Sequence, residues 1–581
     1  MYFHGVKKII ELRTDPPSIA WSLDTDPLCA RILARRGVTA PAQISFSLKD
    51  LPRPESLPGI ARMVDCLVEA LRHQQRITVI ADYDADGATA CAVAVRGLTL
   101  LGFQHVDFLV PNRFTCGYGL TPEIVALAKH QRPDILLTVD NGIASLDGVA
   151  AANAEGFKVL ITDHHLPGET LPEAAAIVNP NVAESVFPSR ALAGVGVMFY
   201  VLLALRARLR TMRWFATRPW PEPNLARLLD LVALGTVADV VPLDACNRIL
   251  VRQGLLQMRQ GQSCPGINAL LAVAGKAVYS LQSSDLGFAI GPRLNAAGRM
   301  DDMTLGIQCL ITEDHELAHT IAVQLDEYNR ERKLTEQQMQ HEAMALLREM
   351  KALDERHLAA GLCVHDANWH QGVIGIVASR LKDRFHRPVI AFADAGEGVV
   401  KGSARSIEGV HIRDVLNTVA TRHPHLLQRF GGHAMAAGLS LEKHNLPPFT
   451  LAFEQAVHEQ LQHLDLTRKL LSDGELDDNH LTLAFAQRLQ TLMVWGHAMP
   501  EPVFHGDFEV LQSRIVGHRH LKLVLRPANS QLLIDAIAFF GERPEDWQGV
   551  RRIRAGYQLT VNEYRDQTTL QLLLLHLEKL Q

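Results

Sequence analysis

Between about residue 50 and residue 310 the apolar positions switch repeatedly between two periods. Leu51 to Arg76 carries Ile60, Met63, Val64, Leu67 and Leu71 at helical spacing. Short β-rich runs follow at Ile77 to Ala81, Phe108 to Val110, Ile135 to Val139 and Val159 to Thr162, separated by turns and helical stretches such as Ala88 to Leu98. That alternation predicts a largely parallel sheet covered by helices. Leu225 to Val237 reads as a further helix, with Asp239 in a turn closed by Pro242. The longest apolar run, Ala191 to Leu205, is bracketed by Arg190 and Arg206. It falls short of the roughly 20 residues that span a bilayer, so a buried helix is predicted. Gly291 to Arg299 reads as a polar, glycine-rich loop in which Asn295 holds the turn together.

The pattern changes at Thr312. Up to about Met350 the chain is rich in Glu, Gln, Arg, Lys, Leu and Met without Pro or Gly, which predicts a long, solvated connecting helix. A second α/β unit follows, with strands at Leu362 to His365 and Val389 to Phe392, a helix at Val373 to Lys382, and glycine-rich corners at Gly402 to Ser406 and Gly431 to His433. From Pro500 five strand-like runs predict a small antiparallel barrel of OB type. The expected division is an N-terminal extension (1–50), a parallel-sheet α/β domain (51–311), a connecting helix (312–352), a smaller α/β domain (353–465), and a linker with the barrel (466–581).

Chemistry concentrates where the first strands stop. Asp82-Tyr-Asp84-Ala-Asp86-Gly87, Asp140-Asn-Gly142 and Asp163-His164-His165 each end an apolar run, and the carboxyl ends of parallel strands are where such sheets bind ligands. Carboxylates and imidazole without thiolate suit hard or borderline divalent cations, and a pair of those suits phosphate esters. An EF-hand is excluded because a strand, not a helix, precedes the first motif. No Walker A sequence and no serine-hydrolase elbow occur. The net charge of −5 over 581 residues excludes a blanket of positive charge but leaves room for a local basic groove. Eight scattered cysteines without a C-x-x-C pair, and no signal-peptide pattern, predict a cytoplasmic protein with neither structural zinc nor a disulfide framework, away from membranes.

The three acidic motifs and Ala238-Asp239 resemble, in order, the four motifs of the DHH phosphoesterase superfamily. Gly402-Ser-Ala-Arg-Ser406 and Gly431-Gly432-His433 resemble its associated DHHA1 domain. The connecting helix and terminal barrel narrow the likeness to the superfamily's bacterial single-strand-specific 5′→3′ exonucleases. The resemblance implies two divalent cations, Mn²⁺ or Mg²⁺, held by Asp84, Asp86, Asp140, His164 and Asp239. Two adjacent cations need a shared carboxylate, and Asp140, alone or with Asp86, is the expected bridge. Asp82 and Asp163 are expected either as further ligands or as acceptors that orient one. His165 is expected to be catalytic, facing the substrate.

Arg113 resembles the superfamily's phosphate-contacting arginine. Arg299, Ser403, Arg405, the amides of Gly431 and Gly432, and His433 are further candidates for the 5′ phosphate. On the barrel, Arg514, Arg519 and Lys522 form a candidate DNA-binding stripe, with Phe504, Phe508 or Tyr564 as stacking residues. The implied partner is single-stranded DNA, with a single-stranded-DNA-binding protein and a RecQ-type helicase as protein partners. Two alternatives remain open: a DHH phosphodiesterase for oligoribonucleotides or cyclic dinucleotides, and a non-catalytic single-strand-binding replication scaffold.

Overall fold

The computed structural model describes residues 8–15, 26–111, 118–349, 359–462, 464, 467–517, 520–528, 530–539, 544–564 and 567–580. Arg113, Arg519 and the side chain of Tyr564 lie outside these. The chain divides into two compact units, Arg13–Asn329 with Asp473–Gln581, and Met1–Leu12 with Arg330–Ser472. Among the described residues no helix is long and apolar enough to cross a membrane.

Strands are numbered along the chain. After β1 (Lys8–Leu12) come β2 (Ile77–Ala81), β3 (Val106–Leu109), β4 (Ile135–Val139), β5 (Lys158–Thr162) and β6 (Ala176–Val178). The last five form one sheet in the order β3-β2-β4-β5-β6, every pair parallel. Every residue of β2 and β4 is buried, as expected of strands covered on both faces. The in-register pairs Ile80–Thr138 and Ala81–Val139, then Thr138–Ile161 and Val139–Thr162, bring the ends of β2, β4 and β5 level. The residues that follow them are therefore neighbours.

In the smaller unit, β7 (Leu362–Asp366), β8 (Val389–Asp394), β9 (Val399–Arg405), β10 (Arg429–Gly432) and β11 (Ala436–Glu442) form a mixed sheet in the order β10-β11-β9-β8-β7. β12 (Arg468–Ser472) pairs in parallel with β1, a long-range contact that no local pattern announces. In the larger unit β13 (Phe504–Val516), β14 (His520–Pro527), β15 (Ile534–Phe539), β16 (Arg552–Tyr564) and β17 (Gln567–Lys579) close into a barrel. One of its pairings, β15 with β17, is parallel, so the barrel is not wholly antiparallel.

Two local readings are corrected. The stretch from Gly291 is a helix, Gly291–Met300, entered through a π-helical turn at Leu286–Ile290. Its glycines serve close packing instead of a loop: a side chain at Gly298 would meet the Tyr83 carbonyl oxygen at 2.0 Å, and one at Gly291 would meet Ala238 at 3.2 Å. The connecting helix, His315–Glu349, is not simply solvated. Ala318, Ile321, Ala322 and Leu325 are buried near one end and Met339, Ala343, Met344 and Leu347 near the other, each set on one helical face. Its long charged side chains hid that stripe in the sequence.

Candidate metal centre

Asp84 is the N-cap of the helix Ala85–Leu101, accepting from the amides of Asp86 and Gly87 at 2.9 and 3.0 Å. The cap turns the D-x-D-x-D segment sharply at the end of β2. Gly87 is needed there, since a Cβ would lie 2.5 Å from the Asp82 carbonyl oxygen. Asp86, in the first turn, is fully buried. Its carboxylate is held by the first amides of a second helix, Gly194–Thr211: Gly194 donates at 2.6 Å and Val195 at 3.0 Å. This is the favoured place for an anion on a helix.

Asp140 follows β4 in the left-handed region, at φ 61°, an uncommon conformation for a residue with a Cβ. The adjoining Asn141 donates from Nδ2 to the Ile80 and Val139 carbonyls at 3.0 and 2.9 Å, locking β2 to β4. Asp239 caps the C-terminal end of the helix Leu229–Ala238. Helices approach this closely because glycines face the acids. A Cβ at Gly194 would lie 2.5 Å from the Asp140 Cβ, and one at Gly235 would lie 2.2 Å from Thr89 Oγ1 and 2.8 Å from Asp86 Oδ1.

His164 stands at the centre. Its Nε2 lies 3.1 Å from Asp140 Oδ1, 3.5 Å from Asp239 Oδ2 and 3.9 Å from Asp86 Oδ2. The imidazole hydrogen-bonds the Leu192 backbone carbonyl, which assigns the proton to Nδ1 and leaves the Nε2 lone pair turned inward. Burial, with the charge of His165 next, pushes its pKa down to about 4, so it is neutral at pH 7. Asp140 Oδ1 and His164 Nε2 are both buried without a hydrogen-bond partner. Two acceptors that close in a dry interior need a proton or a cation between them, and a cation meets that need while leaving Asp140 ionised. Asp82, Asp84 and Asp140 offer a second group of ligand atoms mutually within 4.8 Å, beside that of Asp86, His164 and Asp239. Burial, then mutual repulsion, raises the pKa values of Asp82, Asp86, Asp140 and Asp239, that of Asp86 to about 7. Asp140, His164 and His165 form a third such group, and the donor set fits oxygen-loving divalent ions.

Asp163 is otherwise engaged. Its Oδ1 accepts from the amides of His164 and His165 at 2.7 and 3.0 Å and contacts His165 Nδ1 at 2.7 Å, while Oδ2 accepts from Ile143 at 2.9 Å. It orients the two histidines and is geometrically an acceptor. Burial opposes charge on His165, but the Asp163 hydrogen bond and the surrounding carboxylates prevail and raise its pKa to about 9. One histidine is thus neutral and the other cationic. Asp82 accepts from the Tyr83 amide at 2.6 Å and belongs with Asp84 and Asp140 in the second ligand group.

Tyr118 is a support that the sequence did not reveal, and two residues that it did suggest take defined places. Asn295 Oδ1 accepts from the Ala85 amide at 2.8 Å, so it secures the acidic loop from the neighbouring helix. Tyr118 donates toward the Asp140 carbonyl at 3.3 Å and packs edge-on to Tyr83 and His165. Arg299 sits in the last turn of the helix whose Gly298 packs on Tyr83.

In the smaller unit, Arg405 Nη1 donates to Ser403 Oγ at 3.1 Å, and a side chain at Gly375 would meet both residues at 2.9 Å. Both therefore lie over the start of the helix Ile374–Phe385, a site suited to an anion. Gly431 pairs with Gly438, which pairs with Ser403, and neither glycine has an atom within 4 Å of where a Cβ would stand. Gly438, overlooked in the sequence, completes a bare backbone platform beside Ser403. Gly432 ends the same strand and His433 follows it, donating its amide to the Ala436 carbonyl. On the barrel, Arg514 faces Lys522 across β13 and β14, but Lys522 is already paired with Asp535 at 2.9 Å. Phe504 and Phe508 are buried core residues. Phe539, 63% exposed and edge-on to His520 at 5.0 Å, is the available aromatic instead.

Family models match three regions: the DHH family N-terminal domain over residues 76–236, the DHHA1 domain over 357–459 and the RecJ OB domain over 472–576. The chain is 49% identical, over 98% of its length and 99% of the relative's, to the single-stranded-DNA-specific exonuclease RecJ of Dickeya dadantii. Among solved structures, RecJ of Thermus thermophilus in complex with Mn²⁺ matches with a TM-score of 0.79 at 28% identity, covering 96% of this chain and 77% of that one. The Mg²⁺ complex gives 0.72 at 27% identity, over 96% and 76%.

Asp163→Asn, which preserves size but loses the charge that orients the histidines, is expected to weaken Mn²⁺ binding about 10- to 100-fold in calorimetric titration. Unchanged affinity would contradict the orienting role.

Proposed function

The chain belongs to the RecJ family of single-stranded-DNA-specific exonucleases, and from that premise we propose that it removes 5′-mononucleotides from the 5′ end of single-stranded DNA, in DNA recombination and repair. Its cofactors are divalent cations, Mn²⁺ or Mg²⁺, and Asp84, Asp86, Asp140, His164 and Asp239 would hold two of them. The observation that carries this reading is the buried, unpartnered pair Asp140 Oδ1 and His164 Nε2, 3.1 Å apart. When bound, such a pair of ions supplies Lewis acidity to the attacking water and to the departing 3′ oxygen.

The remaining work falls to the protein's own side chains. Asp140 would be the carboxylate shared between the ions, while amides restrain Asp86 on both oxygens. The neutral His164 presents a lone pair, and the protonated His165, steadied by Asp163, hydrogen-bonds a non-bridging phosphate oxygen or protonates the leaving group. Asp82 supports Asp84 and Asp140. Arg299 and Arg113 contact phosphates along the strand. Ser403, Arg405, the Gly431–Gly432 backbone and His433 receive the 5′ phosphate, so that each cut regenerates the end they recognise. Arg514, Arg519 and Lys522 follow the strand on the barrel. A single-stranded-DNA-binding protein and a RecQ-type helicase are the proposed protein partners, and the cytoplasm the compartment. The complete acidic set disfavours a scaffold without catalysis.

Asp140→Ala is expected to abolish Mn²⁺-dependent release of nucleotides from end-labelled single strands, with the thermal unfolding transition retained. Full activity in that variant would reject the site. Arg405→Ala is expected to lower kcat/KM for 5′-phosphorylated strands by about 10-fold or more, since a charge-assisted hydrogen bond contributes about 1.5–3 kcal/mol, and to affect 5′-hydroxyl strands less. Equal losses on both substrates would move the end pocket elsewhere.

A further inference from the structure

The helix Ala85–Leu101 begins at the metal centre and ends at a second concave site. Its 17 residues span about 25 Å at 1.5 Å per residue. Leu100, Gly102 and Phe103 form one wall of a cavity of about 640 Å³, and Trp220, Pro223 and Arg227 lie on the other. Although the lining is largely apolar, Leu100 is 39% and Trp220 40% exposed.

Two independent features define what would bind. The first is charge. Arg206, Arg208, Arg210, Arg213, Arg218 and Arg227 fall within one short segment. Glu222 pairs with Arg206 and Arg210, and Asp65 with Arg208. Arg218 lies over the Trp214 ring at 4.0 Å and 5.9 Å from the Trp220 ring. Among the described residues, Arg213, Arg218 and Arg227 have no acidic partner; of these Arg227 lines the cavity, together with Glu222, whose carboxylate is already paired with Arg206 and Arg210. The second is an aromatic face. The Trp220 ring lines the cavity at the Gly102 wall, where an added side chain would meet it at 3.7 Å.

An exposed indole face and an unpaired guanidinium in one cavity call for a flat, anionic ligand, and a nucleotide of single-stranded DNA supplies both, through its base face and its phosphate. A strand already held at the metal centre would also reach this cavity as a tethered ligand, at high effective concentration. We propose that the Trp220–Arg227 cavity is a second, non-catalytic site that binds a nucleotide of the single strand at a distance from the point of cleavage. This rests on single-stranded DNA being the substrate.

The test uses the full chain, with Trp220→Ala and Arg227→Ala made separately. Binding of a labelled 30-mer of thymidylate is measured in chelator, where nothing is cut, and hydrolysis of a thymidylate pentamer is measured with Mn²⁺. Each variant is expected to bind the 30-mer about 5-fold or more weakly, in line with the loss of one stacked base, while cutting the pentamer at the wild-type rate. Wild-type affinity for the 30-mer in both variants would overturn the proposal. So would parallel loss of pentamer cleavage, because the cavity would then act through the metal centre or the fold. Binding of polyglutamate that depends on Trp220, with 30-mer binding unchanged, would assign the cavity to an acidic protein partner and also overturn it. Cleavage of the pentamer by the wild type reads the proposed function separately.

Discussion

Asp86, Asp140 and Asp239 crowd around one neutral imidazole, with Asp82 and Asp84 beside Asp140, in a largely buried space. Carboxylates so close together and so deeply buried repel one another and lose hydration, which is why their pKa values rise. Partial protonation relieves the repulsion at a cost to any charge-dependent role, whereas two divalent cations relieve it while keeping every acid ionised. The rest of the larger unit can be understood as the scaffold that keeps these groups together despite that repulsion.

Three devices do so. Parallel register levels the ends of β2, β4 and β5. Helix N-termini meet the acids, with the Gly194 and Val195 amides on Asp86 and Asp84 capping its own helix. Glycines at 87, 194, 235 and 298 remove the side chains that would keep these elements apart. The left-handed backbone at Asp140 is a local strain at the heart of the centre, and it is held by Asn141 and by the Asp140 amide bond to Thr162.

Strand ends and acidic motifs were legible because β2, β4 and β5 are short apolar runs that stop at charged residues, and buried parallel strands leave that trace. The helix at Gly291 was not legible, because glycine selected for close packing and glycine selected for a turn look alike in one sequence. The buried faces of the connecting helix were masked by its charged residues. The Asn295–Ala85 contact, Gly438 and the β1–β12 pairing were invisible for a different reason: each acts through a partner far away in the chain. The barrel's strands could be read from alternation, but not which aromatics point outward; Phe508 and Phe539 differ in exposure for reasons of register alone.

Anomalous scattering from crystals grown with Mn²⁺ tests the central arrangement most directly. Two manganese peaks about 3.5–4 Å apart are predicted, with Asp140 touching both and His164 Nε2 bound to one. Manganese located only elsewhere, or a cluster in which Asp140 and His164 remain uncoordinated, would contradict it.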